Sequence, residues 1–227
     1  MNQSSQTFKG FSRQTLTRLG VAFSVLLLPV FVFVELADEV REGETLPFDQ
    51  KVLRAINIHA SPTLDVLAVT VTQLGGLIGT SVLTLGIAVL LWGRRMRRMA
   101  TLLITGVAGA AALNLLLKAV FQRDRPHLWE RLVTENSHSF PSGHAMASSA
   151  LAFSLIVIYW PTRWRWPVVF AAGIYVVVIG LTRLYLGVHY PTDILAGWAV
   201  SAAWIATMVY ALTYHTTLRK LLTKKRL

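Results

Sequence analysis

The sequence predicts an all-α fold, a polytopic membrane bundle of six transmembrane helices with both termini in the cytoplasm. Three observations predict it. Of the 227 residues, 54% are hydrophobic and only 15% charged, against about 25% charged in an average soluble domain. Successive Asp, Glu, Lys and Arg residues leave six long uncharged runs between them, and a helix needs roughly 20 mainly apolar residues to cross the hydrocarbon core. The basic residues also gather in alternate connections, as the positive-inside rule requires of the cytoplasmic side.

The runs are Leu19–Val34, Val66–Gly93, Met99–Leu117, Asn136–Thr162, Trp166–Thr182 and Ile194–Leu218. The first is the shortest and contains Pro29, so a secretory signal peptide is its rival. Glu35-Leu36-Ala37-Asp38 offers no small-x-small cleavage site, which favours a retained span. The connection Glu35–Pro62 is acidic at first. Phe48, Val52, Leu53 and Ile56 then recur at helical spacing with Asp49, Lys51 and Arg54 between them, predicting a short helix on the outer surface. The second run is longer than one span needs, and Gly75-Gly76 divides it. A polar connection, Gln122–Pro141, joins spans three and four, and a short one around Gly187–Pro191 joins spans five and six. The expected organisation is a cytoplasmic segment over 1–18, a single six-span unit over 19–214 and a basic cytoplasmic tail over 215–227.

A net charge of +11 raises the question of nucleic acid, and the distribution answers it. Lys9, Arg13 and Arg18; Arg94, Arg95, Arg97 and Arg98; Arg163 and Arg165; and Arg219, Lys220, Lys224, Lys225 and Arg226 all fall in the four segments that six crossings place on one side. No acidic residue accompanies them. The excess is a topology signal, and no nucleic-acid partner is expected. The chain has no cysteine, which excludes disulfides and thiolate metal sites.

Three segments combine ionisable residues with helix ends at the external face. Lys118 and Arg125-Pro126 leave the third span, where they read either as snorkelling side chains or as an anion clamp. Pro141-Ser142-Gly143-His144 opens the fourth span. Free N–H groups and a positive dipole end suit a phosphate there, and an ordinary helix cap is the alternative. The third segment runs from Thr182-Arg183 to His189-Tyr190-Pro191-Thr192-Asp193. With Pro191 in the first turn of the last helix, Asp193 can approach His189. An Asp on one imidazole nitrogen leaves the other free as nucleophile or base. Arg183 lies deep in an uncharged stretch and needs a partner or a wet cavity.

Together these residues read as phosphoryl-transfer chemistry. Lys118, Arg125 and Arg183 would hold non-bridging oxygens. His189 beside Asp193 is the better nucleophile candidate, and His144 is the better candidate to protonate the leaving oxygen. A metal site built from His138, His144, His189, Asp124 and Asp193 is the competitor. It is disfavoured by three nearby cations and by the absence of spacings such as H-E-x-x-H. No metal and no cofactor are expected.

In order and spacing, Lys118-x6-Arg125-Pro126, Pro141-Ser142-Gly143-His144 and Arg183-x5-His189-x3-Asp193 resemble the three-part signature of the type 2 phosphatidic acid phosphatase superfamily. The resemblance extends from about Leu19 to Tyr214. It implies an all-helical membrane phosphatase that needs no metal and passes through a phosphohistidine. It further implies His189 as nucleophile, Asp193 as its orienting partner and His144 as general acid, with Lys118, Arg125, Ser142, Gly143 and Arg183 as phosphate binders. Thr182 stands where the family usually has Ser, so a hydroxyl is retained. Six spans argue against the soluble vanadium haloperoxidase branch.

Short loops and single-domain length look most similar to bacterial phosphatidylglycerophosphate phosphatases and undecaprenyl pyrophosphate phosphatases. The implied partner is a membrane lipid substrate: phosphatidylglycerophosphate, phosphatidate, diacylglycerol pyrophosphate or a polyprenyl pyrophosphate. The implied location is a bacterial cytoplasmic membrane with the site outside, and no obligate protein partner is implied. A binding protein or transporter using the same basic pocket is the alternative, but it would have no need of His144, His189 and Asp193 together.

Overall fold

A computed structural model describes the backbone of residues 13–224 and the side chains of residues 24–212. Lys9, Lys225 and Arg226 of the charge pattern lie outside the described residues, as do the side chains of Arg13, Arg18, Arg219, Lys220 and Lys224. The described chain is all-helical. Its elements are α1 (Arg13–Glu42), α2 (Leu46–Asn57), α3 (Pro62–Thr72), α4 (Leu77–Gly93), α5 (Arg97–Phe121), α6 (Gly143–Tyr159), α7 (Arg165–Tyr185) and α8 (Pro191–Lys224). Every predicted run falls on this framework, with shifted boundaries. α1 continues past Val34 to Glu42, so the acidic stretch expected as a connection is helical. The polar start of the fourth run, Asn136–Ser142, is loop, and the helix begins only at Gly143.

Among the described residues, three helices, α5, α7 and Pro191–Leu212 of α8, are long and apolar enough to cross a membrane. The α3–α4 pair makes a fourth when counted as one span bent by 50°. α6 is apolar but has 17 residues.

α6 is the hub, packed against α5, α7 and α8, while α1 lies along α8. Ala145, Ser148, Ser149, Ala150, Ala152 and Ser154 of α6 are buried, and small side chains of this kind let helix backbones approach closely. Large apolar residues such as Val82, Val89, Leu115, Phe170 and Val177 point outward, as they must where the solvent is lipid. α2 is the short helix expected there, with Lys51 and Arg54 exposed, but its buried face differs from the expected apolar one, since Phe48 is exposed. Thr45, Asp49 and Leu53, each one turn apart, form a buried face, and Asp49 is buried because its carboxylate pairs with Arg123 and Thr192.

The break between α3 and α4 depends on glycine. A Cβ on Gly75 would stand 2.3 Å from Cγ2 of Ile179, a buried, β-branched side chain on α7. Gly75→Ala is therefore expected to destabilise the protein by about 1–3 kcal/mol, the usual cost of overpacking. Thermal unfolding in detergent checks this, and adding Ile179→Ala should recover much of the lost Tm.

Candidate active site

The site lies where the end of α5, the start of α6, the end of α7 and the start of α8 meet. Pro191 opens α8, and Asp193 in its first turn reaches back to accept from the Tyr190 amide through Oδ2 at 2.8 Å. This is the carboxylate half of a capping arrangement. The same oxygen accepts from Ser139 Oγ at 2.5 Å and faces His189 Nδ1 at 3.3 Å. His189 and Asp193 are essentially without solvent exposure. A carboxylate at Nδ1 favours the tautomer with its proton there, which leaves Nε2 unprotonated. In that tautomer Nε2 accepts from Arg125 Nη1 at 3.2 Å. Burial, and after it the positive charges of Arg125 and Arg183, hold the His189 pKa well below the usual 6.5. The imidazole is thus neutral at ordinary pH.

The cations form a cradle beside Nε2. Lys118 Nζ donates to Ser137 Oγ at 2.8 Å and to the His138 carbonyl at 2.7 Å. Arg125 donates to the carbonyls of Ser137 and Val188 at 2.7 and 2.6 Å. Burial lowers the Arg125 pKa to about 10, so it stays charged. Arg183, almost fully buried, donates to Thr72 Oγ1 at 2.8 Å and pairs with Glu135. Its Nε is buried without a hydrogen-bond partner among the described residues. Glu135 also lies 3.5 Å from Arg125. Burial works to raise the Glu135 pKa, but Arg183 and Arg125 outweigh it and hold the carboxyl below its usual range. An internal anion thus bridges the two arginines.

The start of α6 adds unpaired backbone donors beside these groups. Ser142 is the N-cap, its Oγ accepting from the Ala145 amide at 3.4 Å and its carbonyl from the Met146 amide at 2.9 Å. The Gly143 and His144 amides have no such partner among the described residues, which leaves two donors of the helix start free. Ser142 itself is buried and occupied in capping. Its amide donates to the Asp193 carbonyl at 3.1 Å, joining the starts of α6 and α8. His144 Nε2 lies beside Gly76, where a Cβ would stand at 3.2 Å. The glycine pair between α3 and α4 therefore makes room for the second histidine.

Lys118, Arg125, Ser142, Gly143, His144, Arg183, His189 and Asp193 thus meet at one end of the bundle. Among the described residues no group of three or more His, Asp and Glu side chains is arranged to hold a metal ion, and Asp124 and His138 point outward as exposed residues. Sequence reasoning missed Glu135, Ser137, Ser139, Thr72, Arg123 and Asp49. Only Asp49 carried a local signal, its position one helical turn before the buried Leu53.

The model of the PAP2 superfamily matches residues 99–217, just over half of the chain. Phosphatidylglycerophosphatase B of Bacillus subtilis is 28% identical over 176 residues, covering 74% of this chain and 85% of that protein. Undecaprenyl-diphosphatase of Sulfolobus acidocaldarius is 29% identical over 189 residues, covering 80% and 86%. The crystal structure of a transmembrane PAP2 type phosphatidylglycerolphosphate phosphatase from Bacillus subtilis superposes with a TM-score of 0.75 at 25% identity, covering 85% of this chain and 97% of that one.

Proposed function

The chain belongs to the PAP2 superfamily, and relatives it resembles over most of their length are phosphatidylglycerophosphatase B and an undecaprenyl-diphosphatase; from that premise we propose that it hydrolyses a lipid phosphate monoester or pyrophosphate through a phosphohistidine at His189. The observation that carries this reading is the Nε2 of His189, unprotonated in the tautomer that Asp193 favours through Nδ1 and held against Arg125 of the basic cradle, which turns to the phosphate when substrate arrives.

In the proposed reaction the substrate phosphate displaces Glu135. It takes Lys118, Arg125, the free Nε of Arg183 and the Gly143 and His144 amides on its non-bridging oxygens. Negative charge in the transition state is held by donors already in place, which is the largest single source of rate in such sites. The Nε2 lone pair attacks phosphorus, the bond to the lipid-side oxygen breaks, and His144, which takes up a proton when the anionic substrate fills the cradle, gives that oxygen the proton. A water then attacks phosphorus, His144 takes its proton back, the N–P bond breaks and phosphate leaves with His189 neutral again. Asp193 stabilises the positive imidazole between the steps.

We further read the chain as six spans, counting α1, the bent α3–α4 pair, α5, α6, α7 and α8, with both termini in the cytoplasm. Residues 19–214 then form the catalytic unit between the segments 1–18 and 215–227. The site would face outward from a bacterial cytoplasmic membrane at headgroup depth, where a lipid can present its phosphate while its tails stay in the bilayer. Candidate substrates are phosphatidylglycerophosphate, phosphatidate, diacylglycerol pyrophosphate and undecaprenyl pyrophosphate, with no obligate protein partner.

Phosphate release from a panel of these lipids, with purified protein in detergent, tests the reading. Turnover of at least one is expected, at a rate unchanged by EDTA. Loss of activity on chelation in protein that keeps its Tm would overturn the metal-free scheme, and no turnover on any lipid would overturn the phosphatase.

A further inference from the structure

Asp193, the residue that orients the nucleophile, has two oxygens, and the phosphatase reading uses only one of them. The other, Oδ1, accepts from Arg123 Nη1 at 2.6 Å. Arg123 is not one of the cradle cations. Gln122 before it sits in a left-handed conformation with φ 45°, turning the chain off the α5 axis. The Arg123 side chain runs toward α8 and α2, whereas that of Arg125 runs to His189 and Val188. The Arg123 Nη2 donates to Asp49 Oδ2 on α2 at 2.7 Å and to Thr45 Oγ1 at 3.3 Å, and Nη1 also donates to Thr192 Oγ1 at 2.8 Å. Its guanidinium lies 4.1 Å from the centre of the Tyr190 ring, a cation–π contact.

Asp49 in turn accepts from the Thr192 amide at 3.2 Å and from Thr192 Oγ1 at 2.7 Å, so it also caps the positive start of α8. Asp49 and Asp193 have no solvent exposure, and the Arg123 side chain keeps only 9% of its surface. A buried carboxylate without a partner is costly, and a planar guanidinium can serve two carboxylates in a fixed geometry.

We propose that Arg123, locked in place by Asp49, is a positioning residue for the nucleophile, holding the Asp193 carboxylate so that Oδ2 faces His189. The inference rests on the phosphatase reading. It extends the active centre to α2, a helix outside all three motifs. Arg123 touches no phosphate-binding group in the cradle. Its removal should therefore act on kcat and spare KM, which a binding residue would not do.

The test uses the full chain in detergent with whichever lipid of the panel is turned over fastest. Arg123→Met is expected to lower kcat by roughly a hundredfold or more with KM within about threefold, a loss typical of a misoriented catalytic base. Arg123 also lines a cavity of about 370 Å³ with Val40, Arg41, Val120 and Phe121. Guanidinium ion at tens of millimolar, supplied through it, should raise the kcat of Arg123→Met by about tenfold over the same concentration of sodium chloride, since it returns the missing donor fork. Asp49→Asn should lose kcat about tenfold, and Arg123→Met/Asp49→Asn should be no worse than Arg123→Met alone, the non-additivity of residues acting as a unit.

Where Arg123→Met fails to fold, Asp49→Asn and Arg123→Lys carry the test, Arg123→Lys falling between wild type and the Asp49 variant. Variants with lowered Tm but wild-type kcat, or losses that simply add, would overturn the inference while active wild-type protein left the phosphatase standing. Inactive wild-type protein would remove the phosphatase reading and this inference with it.

Discussion

Replacing His189 by alanine is expected to lower lipid phosphate hydrolysis by about a thousandfold or more, which corresponds to roughly 4 kcal/mol of lost transition-state stabilisation. His189 is buried, held neutral by its surroundings, and presents Nε2 to the cradle. No other described histidine has a carboxylate partner at its second nitrogen. Water attacking directly would have to replace both the nucleophile and the geometry that orients it. Acid-labile, base-stable radiolabel from a substrate labelled in its terminal phosphate should appear on His189 after rapid quenching of wild-type protein and be absent from His189→Ala. The role assigned to His189 is wrong if the alanine variant keeps the wild-type rate, or if the label forms on His144 instead.

Arg183→Ala should produce the second largest effect, a fall in kcat/KM of roughly a hundredfold or more, as seen when a preorganised donor to a transition-state anion is removed. Arg183 sits almost fully buried in the last turn of α7, with Nη1 on Thr72, Nη2 on Glu135 and Nε without a partner among the described residues. A buried guanidinium with an orphan donor fits an anion that arrives only with substrate. Removing it also leaves Glu135 one guanidinium short, so Tm should fall. Arg183→Lys separates the two effects. A lysine restores a charge near Glu135 but cannot reproduce the planar fork, so stability should return further than kcat/KM. Full kcat/KM in Arg183→Lys would show that the fork is not used on substrate.

The helical framework was legible because each run was read from local composition, and the break at Gly75-Gly76 was legible because adjacent glycines weaken a helix wherever they stand. The boundaries were less so. Asn136–Ser142 carries no charge and was counted into the fourth run, yet its polar side chains and backbone serve the site as loop, with Ser137 and Ser139 holding Lys118 and Asp193. The acidic end of α1 differs in the other direction, helical to Glu42 where a connection is expected, since charge excludes a residue from lipid but does not end a helix.

The motif residues were legible as a set because the chemistry of a phosphate demands cations, free amides and imidazoles in any fold that binds it. Glu135 was not. A carboxylate in a polar loop looks the same whether it faces water or two arginines, and only the approach of α7 to that loop makes it the internal counter-ion of the cradle.

By itself the sequence determined the helices, the apolar surface offered to lipid and the identity of the candidate phosphate-binding groups, all of which follow from residue type and short-range spacing. Tertiary structure alone decided the pairings: Arg123 with Asp49 across 74 positions, Arg183 with Thr72 across 111, and His144 against the glycine break. Ion pairs and hydrogen bonds act over a few ångströms of space without regard to distance along the chain. They become visible only when packing has brought the helix ends together.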